Sequence, residues 1–165
     1  MMRVGVFSDS HGNVNAMKLL YASMGHLDAV FFLGDMTADI DVFMKLLLKE
    51  GDQTPVYHVR GNNDMYSKEP DFLIVPLEER TAFLTHGHLY RVRQGTDMLC
   101  QAARKAGCDI ALYGHTHVRY CSYDDGIFVL NPGAVSGSYY GYLKTAAVLI
   151  IDGKLVRMED ATLEL

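Results

Sequence analysis

Arg3-Val4-Gly5-Val6-Phe7 runs straight into Ser8-Asp9-Ser10-His11-Gly12-Asn13, an apolar stretch that stops abruptly in a polar cluster. The same arrangement recurs along the chain. Residues 29–33 lead into Gly34-Asp35, and residues 56–59 into Arg60-Gly61-Asn62-Asn63-Asp64. Residues 81–84 lead into Thr85-His86-Gly87-His88, and residues 110–113 into Gly114-His115-Thr116-His117. Residues 127–130 lead into Asn131-Pro132-Gly133. The apolar runs are short, rich in Val, Ile, Phe and Tyr, and bounded by Gly, which predicts strands buried on both faces. Helical spacing predicts helices over 14–24, with Asn13 as N-cap, over 40–49 and over 96–106, the last two ending near Gly51 and Gly107. Beyond Tyr120 the pattern is mostly strand, with turns at Asp124-Asp125-Gly126 and Asp152-Gly153.

Strand, helix, strand alternation implies an α/β fold with a largely parallel sheet and helices outside it. Ligands of such sheets bind beyond the carboxyl ends of the strands. The polar clusters all follow their strands, so they can converge on one edge.

Collected there, Asp9, His11, Asp35, Asn62, His86, His115 and His117 offer carboxylate, amide and imidazole donors. That mixture suits Mn²⁺, Fe or Zn²⁺ rather than Ca²⁺ or Mg²⁺ alone. Seven donors exceed the needs of one tetrahedral ion, and two ions about 3.5–4 Å apart need a bridging carboxylate. Asp35, alone between the Asp9/His11 pair and the later residues, is the natural bridge. A structural zinc site favours Cys ligands and closed coordination, unlike this set.

Composition narrows the function class. The 165 residues carry 15 Lys+Arg against 20 Asp+Glu, a net charge of −5, with no basic cluster suited to a nucleic-acid polymer. Hydrophobic residues at 49% and charged residues at 21% are ordinary globular usage, and the length suits a single domain spanning 1–165. No apolar run approaches the ~18 residues of a membrane span, and the N-terminus lacks a signal-peptide pattern. Cys100, Cys108 and Cys121, odd in number and without C-x-x-C spacing, read as thiols in a reducing, cytoplasmic setting.

Asp9-Ser10-His11, Gly34-Asp35, Gly61-Asn62-Asn63-Asp64, His86-Gly87-His88 and Gly114-His115-Thr116-His117 resemble, in order, the five motifs of the calcineurin-like metallophosphoesterases. Asn131-Pro132-Gly133 resembles a loop of their short prokaryotic phosphodiesterase branch, to which the retromer scaffold subunit is related in fold. The resemblance implies a four-layer α/β/β/α sandwich of two mixed sheets flanked by helices. It implies two divalent metal ions, Mn foremost, with Fe, Ni, Co or Zn as alternatives. Asp9, His11 and His117 would hold the first ion, Asn62, His86 and His115 the second, and Asp35 would bridge. It implies hydrolysis of small or nucleotide-like phosphoesters by attack of a metal-bridging hydroxide. Asp35, Asn62 and Asn63 would serve the reaction itself. Many members of the family carry His where this chain has Asn63, and Asn is no general acid near neutral pH, which favours diesters or good leaving groups.

Several residues are read apart from this set. His88 is read as contacting substrate or orienting a ligand, with plain exposure as the other reading, and Asp64 as pairing with a ligand His. Arg60 is read as a salt-bridge partner, His58 as structural, and His26 as a cap near a helix end. Ser8 and Ser10 are loop residues, there being no G-x-S-x-G elbow. Ser138-Tyr139-Tyr140-Gly141-Tyr142 is read as an interface between copies, with stacking on an aromatic substrate group as the second reading. The competing functions are a protein-interaction scaffold of the same fold, a phosphomonoesterase, and a nuclease, which the negative charge disfavours.

Overall fold

The computed structural model describes residues 1–137 and 143–164, so the tyrosine-rich 138–142 stretch lies outside the described residues. Strand β1 (Met2–Phe7) is followed by α1 (Val14–Ser23), β2 (Ala29–Phe32), α2 (Thr37–Lys49), β3 (Val56–His58) and β4 (Phe72–Leu77). Then come β5 (Arg80–Thr85), α3 (Asp97–Lys105), β6 (Ile110–Leu112), β7 (Tyr120–Asp124), β8 (Ile127–Asn131), β9 (Lys144–Asp152) and β10 (Leu155–Leu163).

Among the described residues these strands make two five-stranded sheets, ordered β10-β9-β1-β2-β3 and β4-β5-β6-β8-β7. Both are mixed. β1, β2 and β3 run parallel while β9 and β10 run antiparallel; β5, β6 and β8 run parallel while β4 and β7 run antiparallel. One largely parallel sheet, as the alternation suggests, is therefore replaced by two. Hairpins at each sheet's margin add the antiparallel strands. The expected turns at 124–126 and 152–153 join two of those pairs.

Period-two alternation decides what each face packs against. Val4, Val6, Phe31, Leu33, Leu84, Ile110, Leu112, Leu130 and Leu149 meet between the sheets. The opposite faces of β1, β2 and β9 (Phe7, Val30, Phe32, Val148 and Ile150) pack on Met17 and Leu20 of α1 and on Ile40 and Phe43 of α2. Phe83, Ala111 and Val129 pack on Leu99, Cys100 and Ala103 of α3. The order of layers is helix, sheet, sheet, helix.

Three local expectations are corrected. Asn13 occupies the N-cap position of α1, but its side chain makes no cap hydrogen bond; its Nδ2 turns back to the Ser10 carbonyl (3.2 Å), and its Oδ1 accepts from Lys144 Nζ (2.8 Å). His26 caps no helix and pairs instead with Asp28 at 3.3 Å. α2 begins three residues before the expected Ile40, at Thr37. The apolar periodicity starts only at Ile40, whereas the first turn carries the buried Asp39. β4 is a further strand, and its alternating burial and Pro76 mark it as an edge strand. All three cysteines are free, with Cys100 and Cys108 buried. No helix among the described residues is long and apolar enough to cross a membrane.

Candidate metal centre

The site forms where the parallel strands of both sheets end. Asp9 follows β1, Asp35 follows β2, Asn62 follows β3, His86 follows β5, and His115 and His117 follow β6. The loops are tied together through the backbone: Asp9 N–H donates to the Gly34 carbonyl (3.0 Å), and Gly114 N–H to that of His86 (3.1 Å). Two glycines make the approach possible. A Cβ at Gly61 would collide with the Asp35 carboxylate, and one at Gly114 with Ser8 Oγ and Asp9 Oδ2.

Asp9, His11, Asp35, His115 and His117 all have left-handed backbones, with φ of 55°, 42°, 62°, 67° and 57°. Non-glycine residues seldom adopt that region, at a cost of order 1–3 kcal/mol each, and such strain gathers at functional sites. The neighbouring structure holds them there.

The donor atoms then fall into place. Asp9, His11 and His117 form one group and Asp9, Asp35 and His86 another, each with atoms within 4.8 Å of one another. Asp9 Oδ1 lies 3.0 Å from His117 Nε2 and 3.9 Å from His11 Nε2. Asp35 reaches both groups, with Oδ2 3.7 Å from His11 Nε2 and Oδ1 3.4 Å from His86 Nε2. Asn62 Oδ1 and His115 Nδ1 stand 3.1 and 3.2 Å from His86 Nε2.

Two observations show that the donor set fits divalent cations. His86 Nδ1 faces the Leu33 carbonyl at 2.8 Å, a partner that only accepts, so Nδ1 carries the proton. Nε2 therefore faces two further oxygens and a nitrogen, and a cation is what such a convergence of donor atoms suits. Secondly, Asp9 Oδ1 is fully buried without a well-aligned donor. Burial of the Asp9 carboxyl favours its neutral form, but His117, the charge of His86 and the Ser8 hydroxyl outweigh this and hold its pKa below the ordinary value. Burial and the charge of His86 push the His115 pKa down to about 4, keeping the imidazole neutral and able to bind a metal.

Around these donors sits a layer that the spacing of residues did not reveal. Asp64 pairs with no ligand histidine, contrary to expectation. Its Oδ2 accepts from Asp35 N–H (2.9 Å) and Gly61 N–H (2.8 Å), and its Oδ1 from Thr37 N–H (2.8 Å). Asp39 likewise accepts from Ser10 Oγ (2.5 Å) and Gly12 N–H (2.7 Å). Ser8 Oγ and His115 N–H both donate to Asp9 Oδ2, at 2.5 and 3.0 Å. Asn131 Nδ2 donates to the Gly114 carbonyl and to Thr116 Oγ1, at 2.9 and 3.0 Å. Their only sequence signal is polarity beside a strand end or in a helix's first turn.

The remaining residues divide plainly. Asn63 is exposed and donates to Asp35 through its backbone N–H (3.0 Å) and Nδ2 (2.7 Å). His88 packs its ring 5.4 Å from that of His86 and 6.2 Å from that of His115, beside the donors rather than among them. Arg60 forms the expected salt bridge, bidentate to Asp71 at 2.7 and 3.2 Å. His58, in β3, lies 3.7 Å from Glu69.

The calcineurin-like phosphoesterase superfamily domain matches residues 2–154. A phosphodiesterase of Methanocaldococcus jannaschii is 26% identical over 175 aligned positions, spanning 94% of this chain and 97% of its own. The crystal structure of a predicted phosphoesterase of Streptococcus pneumoniae superposes with a TM-score of 0.76 at 28% identity, covering 96% of this chain and 88% of that one. Vps29 of Entamoeba histolytica, complexed with zinc, shares the fold with a TM-score of 0.75 at 21% identity over 98% of this chain and 99% of its own. With a family model spanning both sheets and every strand-end motif, the chain belongs to the calcineurin-like phosphoesterase superfamily.

Proposed function

We propose that the protein is a dinuclear metal-dependent phosphodiesterase acting on small phosphoesters, and that residues 1–165 work as one domain. Asp9, His11 and His117 would hold one divalent cation, Asn62, His86 and His115 a second, with Asp35 shared. The observation that carries this reading is the convergence of Asn62 Oδ1, Asp35 Oδ1 and His115 Nδ1 on His86 Nε2, with the Asp9 group alongside. Two such cations supply Lewis acidity toward phosphoryl oxygens and acidify water.

The chain's own residues do the rest. Asp9 and Asp35 bring two negative charges against two dications, leaving a surplus that attracts a phosphate anion. Asp64 and Asp39 fix the loops that present those carboxylates, so little reorganisation is left for the reaction itself. Asn63 steadies Asp35 and stands exposed beside it. Its amide can donate a hydrogen bond but gives up no proton near neutral pH, which favours diesters and good leaving groups over alkyl monoesters.

The test is hydrolysis of bis(p-nitrophenyl) phosphate by chelator-stripped protein, with and without Mn²⁺, beside Asp35→Asn. Turnover that requires metal and disappears in the variant is expected. Absence of turnover with Mn²⁺, Fe²⁺, Ni²⁺, Co²⁺ and Zn²⁺ alike would overturn the reading and favour a scaffold of the same fold.

A further inference from the structure

Arg3, Arg60, Arg80, Arg104, Arg119 and Arg157 each face a carboxylate. The two remaining arginines, Arg91 and Arg93, make no ion pair among the described residues, and both are exposed. Both stand on the segment that follows His86-Gly87-His88, beside the metal centre. In a chain of net charge −5, two unpaired guanidinium groups so close together are out of keeping with the rest of the surface.

That segment is firmly held. Tyr90 N–H donates to the Gly87 carbonyl (2.9 Å), and the Tyr90 ring meets Phe83 edge-on at 5.7 Å. Val92 is buried in the cluster that α3 covers, and a Cβ at Gly87 would come within 2.8 Å of its Cγ2. Arg93 is therefore kept next to the loop that presents His86. The two arginines serve different places. Arg91 borders a small cavity with Gln94, Asp97 and Met98, at the start of α3. Arg93 acts on the centre: burial and the charge of His86 lower the His115 pKa, and the charge of Arg93 adds to them. His88, on the same segment, keeps a buried Nδ1 with no hydrogen-bond partner.

Charge decides what such a residue can hold. Two dications set against Asp9 and Asp35 leave a positive surplus that the single charge of a phosphodiester does not cancel. An unpaired guanidinium beside that surplus is repelled by it, and a further anion relieves both. Guanidinium groups hold carboxylate and phosphate through paired N–H bonds. The cavity beside Asn63 suits such an anion less, since Asp41 and Glu69 line it against Lys68 alone. We propose that Arg93 binds a second anionic group, phosphate or carboxylate, on the phosphoester held at the centre, so that the protein prefers diesters bearing an extra negative charge. The inference rests on the phosphodiesterase reading above and narrows its substrate class.

Three diesters with the same leaving group test it on Mn²⁺-loaded protein: the ethyl, 2-carboxyethyl and 2-phosphonooxyethyl esters of p-nitrophenyl phosphate. One or both of the anionic esters should have a kcat/KM about tenfold above the ethyl ester, mainly through KM, as a charge-assisted hydrogen bond supplies. Which of them is preferred tells carboxylate from phosphate. Arg93→Ala should bring the ratio to one and Arg93→Lys should keep part of it, with metal content unchanged in both. Arg91→Ala removes the same charge from the same segment and should leave the ratio alone. A ratio of one or less for both anionic esters, or equal losses in Arg91→Ala and Arg93→Ala, overturns the contact while leaving the hydrolase intact. Calorimetry with ethyl phosphate, 2-phosphoglycolate and 1,2-ethanediol bisphosphate reads the contact even without turnover. Tighter binding of either doubly anionic ligand, weakened in Arg93→Ala, supports it; no gain for either overturns it.

Discussion

On one side of Asp35 stand Asp9, His11 and His117; on the other stand Asn62, His86 and His115. The first group comes from two loops, each supplying or flanking its donors at i and i+2 on left-handed backbone. Asp9 is fully buried, and its second oxygen is held by Ser8 and by the His115 N–H. In the second group each donor comes from a different strand end. His86 is oriented across the sheet–sheet boundary by the carbonyl of Leu33, while Asn62 is exposed. Both groups therefore draw donors from both sheets; the first sets every donor on left-handed backbone, while the second relies on the Leu33 carbonyl to orient His86.

The sharpest challenge to that comparison is the residue common to both groups. Asp35→Asn should lower turnover by about three orders of magnitude, because it withdraws several kcal/mol of charge stabilisation from both cations. Metal content by elemental analysis should fall below two per chain. Retention of two tightly bound ions would show that the groups do not share a ligand.

Next comes the contrast between a buried and a half-exposed histidine. His86→Ala removes a fully buried ring and its Leu33 bond, so activity should fall about a hundredfold or more and the melting temperature should fall with it. His11, with a side chain 31% exposed, should lose activity on the same scale while thermal unfolding hardly moves. Equal melting shifts for the two variants would break the distinction.

How much of this was legible in the sequence follows the same division. Strands that end in Gly plus a polar residue carry their own signal, so β1, β2, β3, β5, β6 and β8 and the seven convergent side chains could be picked out by position. β4 could not, because an edge strand holding Pro76 breaks the apolar run on which strand recognition depends. Nor could the roles of Asp64 and Asp39. A carboxylate that accepts from the backbone of a loop 27 to 29 residues away leaves no local spacing to read. His26 and Asn13 were misread for the opposite reason, since each sits where capping is common while its side chain finds a partner elsewhere.

Asp64→Ala tests that hidden layer. It strands the N–H groups of Asp35, Gly61 and Thr37 in a buried site, at about 1–3 kcal/mol, or roughly 2–12 °C in melting temperature for a chain of this size. A variant that melts with the parent would show water replacing the carboxylate.

A smaller effect separates the groups by pH. The His115 pKa falls to about 4 in the folded chain against 6.5 unfolded, so the unfolded chain takes up this proton first. The contribution of His115 to the stability of chelator-treated protein is complete above about pH 6.5 and is lost as pH falls toward 4. In His115→Gln the denaturant midpoint should depend less on pH across that window. The smallest change is expected from Asn63→His, which supplies a proton donor: the ratio of p-nitrophenyl phosphate to bis(p-nitrophenyl) phosphate turnover should rise severalfold. An unchanged ratio would remove Asn63 from the choice between monoesters and diesters.

β1 lies between β2 and β9, so the first strand made is completed by one of the last. During synthesis, the edge of β1 that pairs with residues 147–151 stays open until the ribosome has released the distal hairpin. The Ser8 and Asp9 carbonyls, which accept from the N–H groups of Val135 and Ser136, wait as long. The β1–β2 pairing that sets Asp9 beside Asp35 lies wholly within the first 35 residues and needs neither of those late contacts. The backbone that encloses Asp9 is thus completed by Val135, Ser136 and residues 147–151, all of which follow the last donor, His117, along the chain.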